Sequence, residues 1–252
     1  MTIWVSHRGE SYDAPENTMA AFGLALKRDT DAWETDIHFS SDKVVICCHD
    51  PNTLRTCGVD KEIAQTTFEE LQTLDASNGK AGYKGEKIPA FSEVLALLPQ
   101  GKLLFTEIKV DDPELVDAMM REIDNSGVAR EQIIVISFYP EMIKVCKERY
   151  PEMKALFLCS MSRSDGTLVY QPQELLDKLA YMHADGLDAR GDKNYLTEEF
   201  VKKLTDSGFS LALWTIDQVE TAEYFINTVR PEAITSNRAA YLQSVIDHGQ
   251  ER

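Results

Sequence analysis

Short apolar, β-branched runs alternate along this chain with longer segments whose apolar positions recur at helical spacing. The strand-like runs are 3–6, 32–39, 102–109, 132–138, 154–159, 184–188, 209–216 and 232–236, and helical patterns fall at 18–28, 91–98, 113–125, 140–149, 172–182, 197–207, 219–229 and 238–248. Asp112-Pro113-Glu114 and Thr197-Glu198-Glu199 place caps and acids at helix starts, and Gly127 and Gly208 stand where helices should stop. Strand followed by helix, repeated eight times, predicts an α/β fold with a parallel sheet, and eight units predict closure into a (β/α)8 TIM barrel. Such a barrel takes about 250 residues, which a chain of 252 supplies with little left over.

Two departures mark the second unit. Residues 43–48 form another β-branched run after the polar turn Ser40-Ser41-Asp42, which reads as a hairpin-like extension of the second strand. Residues 51–89 are rich in Asn, Thr, Gly and Lys and carry one short helical pattern at 68–74. The expectation is a single domain over 1–252 with an insertion at about 51–89 lying over one end of the barrel, where long loops often serve function.

The formal charge of −16 disfavours nucleic acid and anionic membrane surfaces as partners, and no basic run offsets it. A small anionic substrate remains compatible, because a bound divalent cation would invert the local sign. The five cysteines (Cys47, Cys48, Cys57, Cys146, Cys159) have no Cys-x-x-Cys spacing, so they read as reduced, mostly buried thiols. There is no apolar run of membrane-spanning length, and Met1-Thr2 leads directly into Ile3-Trp4-Val5 without a leader-like segment. The expectations are therefore a cytoplasmic location and no stable membrane association.

Candidate chemistry gathers at strand ends. In the second strand Glu34 and Asp36 share one face while Trp33, Thr35 and Ile37 share the other, so an apolar outer face directs both acids inward. Glu107 and Lys109 repeat the pattern near the end of 102–109. A buried Glu–Lys ion pair is the competing reading there. Three inward carboxylates would repel one another strongly unless a cation sat between them, and all-oxygen ligation favours Mg²⁺ or Ca²⁺ over zinc. His7 and His49 follow the first strand and the hairpin extension, at the carboxyl-terminal face where barrel chemistry is found, and imidazoles suit proton transfer near neutrality. Arg8 offers a planar fork for a phosphoryl group and Lys109 a point charge, although either could serve only as an ion-pair partner. Asn17 reads equally as a helix cap or as a polar contact to substrate or metal water, Glu16 as a ligand or a first-turn acid, and Trp214 as a core filler or, in preference, a rim aromatic for a small polyol. His38, His183 and His248 carry no assigned role.

Taken together, His7-Arg8-Gly9, Pro15-Glu16-Asn17-Thr18, Glu34-x-Asp36, His49-Asp50, Glu107-Ile108-Lys109 and Trp214-Thr215 resemble the glycerophosphodiester phosphodiesterase family over nearly the whole chain. The resemblance implies a TIM barrel with a short insertion after His49-Asp50, a divalent cation, and hydrolysis of glycerophosphodiesters to an alcohol and sn-glycerol 3-phosphate. It further implies that Glu34, Asp36 and Glu107 ligate the metal, that His7 and His49 form an acid–base pair, and that Arg8 and Lys109 hold phosphate. The chain departs from the family where an ending of the type Gly-Ile/Val-x-Thr-Asp-x-Pro is replaced by Ala233-Ile234-Thr235-Ser236-Asn237-Arg238. The nucleophile could be water or a neighbouring glycerol hydroxyl. Competing functions are a related barrel phosphodiesterase acting on lipid head groups, of phospholipase C or lysophospholipase D type, and a non-catalytic barrel that binds phosphorylated polyols.

Overall fold

Nine strands form one sheet: β1 (Ile3–Ser6), β2 (Ala32–Phe39), β3 (Val45–Cys47), β4 (Leu103–Ile108), β5 (Ile133–Ser137), β6 (Lys154–Cys159), β7 (Gly186–Arg190), β8 (Ser210–Trp214) and β9 (Ala233–Ser236). Eight of them run parallel in the order β1-β2-β4-β5-β6-β7-β8-β9, and the β9–β1 and β1–β2 pairings close the ring. The ninth, β3, pairs antiparallel with β2 (Ile37 opposite Cys47, Phe39 opposite Val45), as a hairpin after β2 requires. This computed structural model describes residues 2–247, so His248 lies outside the described residues.

The helices are α1 (Met19–Lys27), α2 (Leu54–Cys57), α3 (Phe68–Leu71), α4 (Phe91–Leu97), α5 (Pro113–Ser126), α6 (Pro140–Arg149), α7 (Pro172–Tyr181), α8 (Glu198–Asp206), α9 (Val219–Thr228) and α10 (Ala239–Ile246). Thr18, not Asn17, caps α1 by accepting from the Ala21 amide. Asp112 caps α5 ahead of Pro113, and Gly127 ends it in the left-handed conformation. Among the described residues no helix is long and apolar enough to cross a membrane.

Strand alternation sorts the side chains into two cores. Trp33, Ile37, Leu104, Ile108, Val135 and Leu187 face outward into the layer shared with the helices, whereas Val5, Phe105, Ile134, Leu156, Leu158 and Ala212 pack inside the barrel. The seventh parallel segment differs from the sequence-based expectation of 184–188. α7 ends at Tyr181, but the Ala184 amide still bonds the Leu179 carbonyl, with His183 left-handed (φ 55), so this closing turn delays the strand by two residues to Gly186 and the strand runs on to Arg190. Residues 51–89 hold two short helices and a 3-10 turn (Ile63–Gln65) rather than one helical piece, because four-residue turns are too short to print a 3.6-residue period. Ile46, Cys48, Ile63, Leu71 and Ile88 form a small core beneath them. Lys80 ties this segment to the β1–α1 loop by donating to the carbonyls of Ser11, Tyr12 and Ala14 at 2.5, 2.9 and 2.8 Å.

Candidate active site

β1 ends at Ser6, so His7 and Arg8 begin the β1–α1 loop at the carboxyl rim. Arg8 and Gly9 are both left-handed (φ 55 and 75), which turns the chain back over α1. A Cβ on Gly9 would lie 2.5 Å from the Ala21 carbonyl carbon, so only glycine admits this turn. The turn aims the Arg8 amide at Glu34 Oε2 (2.9 Å) and its guanidinium at Glu16 Oε1 (2.8 Å) and Asp36 Oδ2 (3.2 Å).

Glu34, Asp36 and Glu107 converge: one carboxylate oxygen from each lies within 4.8 Å of the others, and all three residues are buried. β2 and β4 are in register with Asp36 opposite Glu107, which brings distant parts of the chain to one point. Burial and repulsion from Asp36 push Glu34 well above the usual carboxylate range and Glu107 up to about 7. Burial acts on Asp36 in the same sense, but Arg8 and Lys109 overcome it and hold that carboxyl below its ordinary value. Lys109 Nζ lies 2.8 Å from Glu107 Oε1 and 3.4 Å from Asp36 Oδ1. Asp36 Oδ1 is buried without a hydrogen-bond partner, and the donor set is all carboxylate oxygen, so these residues fit a hard divalent cation.

Each histidine is oriented through Nδ1, by partners of different charge. His7 Nδ1 lies 2.7 Å from Asn237 Oδ1, and Asn237 is fixed in turn by donating from Nδ2 and its backbone amide to Asp217 (2.7 and 2.9 Å). With the amide oxygen facing Nδ1, the His7 proton sits there and Nε2, 3.9 Å from Glu34, presents a lone pair. Burial, reinforced by Arg8, lowers His7 to about 4. His49 Nδ1 lies 2.6 Å from a carboxylate, Asp50 Oδ1. Burial lowers His49 too, with Arg8 and Lys109 acting in the same direction and Asp36 and Asp50 against it. The His38 ring meets the His49 carbonyl at 3.3 Å, which ties it to that loop.

Arg55, from the inserted segment, was not singled out by sequence reasoning. It donates to Asp50 Oδ2 (2.6 Å) and through both terminal nitrogens to Glu16 (2.5 and 2.8 Å), linking the partner of His49 to the partner of Arg8. Glu16 is thus engaged by two arginines. Both ends of the Asn17 amide are also occupied: Nδ2 donates to Asp36 Oδ2 (2.8 Å) and Oδ1 accepts from Thr35 (2.9 Å), so Asn17 reaches the site through Asp36. Trp214 lines the hollow, its indole fixed by donation from Nε1 to the Asp188 carbonyl (3.0 Å) and set edge-on to Phe138 at 5.5 Å. His183 is exposed, away from these groups, and the five thiols are free, with only Cys57 partly exposed. No spacing in the sequence announces Arg55, Asp217 or Asp188; Asn237 was visible only as a departure from a family pattern.

Fold and site together define a TIM barrel with an acidic, cation-fitting cluster flanked by two imidazoles. The chain belongs to the Glycerophosphoryl diester phosphodiesterase family, whose sequence profile matches residues 7–240. It is 28% identical over 235 residues to a glycerophosphodiester phosphodiesterase of Caldanaerobacter subterraneus, covering 89% of this chain and 90% of that one. It is 25% identical over 255 residues to glycerophosphodiester phosphodiesterase 1 of Bos taurus, covering 92% and 77%. A phosphodiesterase of Oleispira antarctica, solved in complex with the product sn-glycerol-3-phosphate, superposes with a TM-score of 0.86 at 25% identity, covering 98% of this chain and 97% of that one.

Proposed function

We propose that this protein hydrolyses glycerophosphodiesters to an alcohol and sn-glycerol 3-phosphate, with Mg²⁺ or Ca²⁺ held by Glu34, Asp36 and Glu107. The observation that carries this reading is the convergence of those three buried acids, with His7, His49 and Arg8 lining the same hollow and Lys109 paired to Glu107 and Asp36. A cation bound there supplies charge neutralisation for the acids and polarises the phosphoryl oxygens. Arg8 and Lys109 bind the phosphate and absorb charge that develops in the transition state.

The different partners of the imidazoles divide their work. His7, with its proton on Nδ1 and a neutral amide behind it, takes at Nε2 the proton of the nucleophile, which is either water or the glycerol's neighbouring hydroxyl, the latter giving a cyclic phosphate that a water opens in a second step. His49, backed by a carboxylate that stabilises an imidazolium, gives a proton from Nε2 to the leaving alcohol. The whole chain acts as one catalytic domain, with residues 51–89 serving the site through Arg55 and Lys80. A small glycerophosphodiester is the substrate, and the charge of −16 argues against nucleic acid or an anionic membrane as partner.

The test is turnover of glycerophosphocholine by the purified protein with Mg²⁺ or Ca²⁺. His7→Ala and His49→Ala should each lose about 10²–10⁴-fold in kcat, and a chelator should abolish activity reversibly. Full activity in either variant refutes the pairing, and absence of turnover by the wild type under both metals refutes the hydrolase reading.

A further inference from the structure

One carboxyl in the barrel lumen has no part in this mechanism. β7 is four strands from β2 in either direction round the eight-strand ring, so Asp188 stands across the barrel from Glu34 and Asp36. It is 1% exposed, Oδ1 has no hydrogen-bond partner, and its register neighbours Leu158 and Ala212 are apolar. A carboxyl taken out of water without a partner is costly, and proteins keep such groups where a ligand completes them. Asp188 lines the same hollow as Glu107, Phe138 and Trp214. Because Asp188 pairs with Ala212 and Trp214 is two residues nearer the rim, Asp188 sits one side-chain layer deeper than the indole.

We propose that Asp188 is a substrate-binding residue whose carboxyl hydrogen-bonds a free hydroxyl of the glycerol moiety while Trp214 and Phe138 flank its carbons. This assignment rests on the hydrolase reading above and names which end of the substrate goes where. The His49 side chain is 33% exposed and that of His7 17%, so the alcohol protonated by His49 departs through the open side. The glycerol end is then left facing the closed side, toward β7, where Asp188, Phe138 and Trp214 line the hollow. A hydroxyl both donates and accepts, and so does a neutral carboxyl. Burial, with Glu107 adding repulsion, pushes Asp188 up to about 8, which suits a hydroxyl and not an ammonium ion that would need the carboxylate. The invariant part of the substrate is thereby read deep in the barrel, and the variable alcohol is left at the mouth.

The test compares the wild type with Asp188→Leu and Asp188→Asn in the metal-loaded full chain. Substrates are glycerophosphocholine, bis-glycerophosphate, which lacks a cationic head group, and bis(p-nitrophenyl) phosphate, which lacks glycerol. Asp188→Leu should lose at least about tenfold in kcat/KM on both glycerol diesters by a similar factor and change less than about twofold on the nitrophenyl diester. Asp188→Asn, which keeps a donor and an acceptor, should recover most of the loss. An equal loss on all three substrates, no loss on any, or a loss confined to the choline diester each overturns the assignment. Calorimetric binding of sn-glycerol 3-phosphate, expected to weaken at least about tenfold in Asp188→Leu, decides the point independently of turnover. If the wild type cleaves no glycerol diester, the hydrolase reading fails while that titration still judges Asp188.

Discussion

Arg55 illustrates how a side chain remote from the reacting atoms can set their geometry. Its fork engages Glu16 and Asp50 at once, and through them it restrains Arg8 and His49. As an ion pair on a half-exposed residue it contributes little to folding, about 0–1 kcal/mol. As an orienting contact it contributes more, since such outer partners affect activity by roughly 10–100-fold. Arg55→Ala is therefore expected to lower kcat by about tenfold or more with a thermal midpoint within about 2 °C of wild type, read by steady-state kinetics beside calorimetry. Arg55→Lys should not restore the rate, because a single ammonium cannot span two carboxylates bidentately. A rate unchanged in Arg55→Ala would show that Glu16 and Asp50 hold their positions unaided.

Among the elements, α5 carries a charge in an unusual place. Glu122 lies on the helix face turned toward α4, and its Oε2 is buried without a partner. Burial raises the carboxyl to about 7, and the Ser92 amide and Arg121 only partly oppose the shift. The folded state thus holds a proton that the unfolded chain releases near its ordinary value. The stability contribution is present in full below about pH 4.5 and is lost as pH rises through about 7. Glu122→Gln should flatten this dependence, leaving stability near pH 4 unchanged and raising it at pH 8 by on the order of 1 kcal/mol after solvent screening. Urea unfolding at the two pH values measures the difference. An equal effect of the substitution at both pH values would place the proton elsewhere.

For the molecule as a whole, closure of the barrel places three carboxyl groups at one buried point, and folding has to accommodate their desolvation and mutual repulsion. A divalent cation that binds only the folded state offsets that cost by mass action, about 2.7 kcal/mol at a concentration one hundred times its dissociation constant. For a chain of this size the midpoint should rise by roughly 5–10 °C on adding Mg²⁺ or Ca²⁺ and fall back with chelator. In Glu107→Gln the midpoint without metal should rise, because one repelling charge is gone, and the metal-induced increment should shrink. Scanning calorimetry with and without metal checks both signs. A wild-type midpoint indifferent to metal would remove the cation from Glu34, Asp36 and Glu107.

Local pattern alone determined the strand-and-helix alternation, the two faces of β2 and β4, and the strand-end placement of His7, His49 and Glu107. These depend on side-chain period and on caps such as Asp112 and Thr197, which act within a few residues. The convergence of Glu34, Asp36 and Glu107 was legible as an expectation because one barrel rim is the only place where inward acids of adjacent strands can meet. Register, closure and long-range pairing decided the rest. His7 takes its orientation from Asn237 and Asp217, more than two hundred residues away along the chain. Arg55 comes from a segment with no readable period, and Asp188 fell at the edge of a strand whose true start is set by the last turn of α7. Such contacts have no local signature, since they exist only once the ring has closed and brought opposite walls of the barrel together.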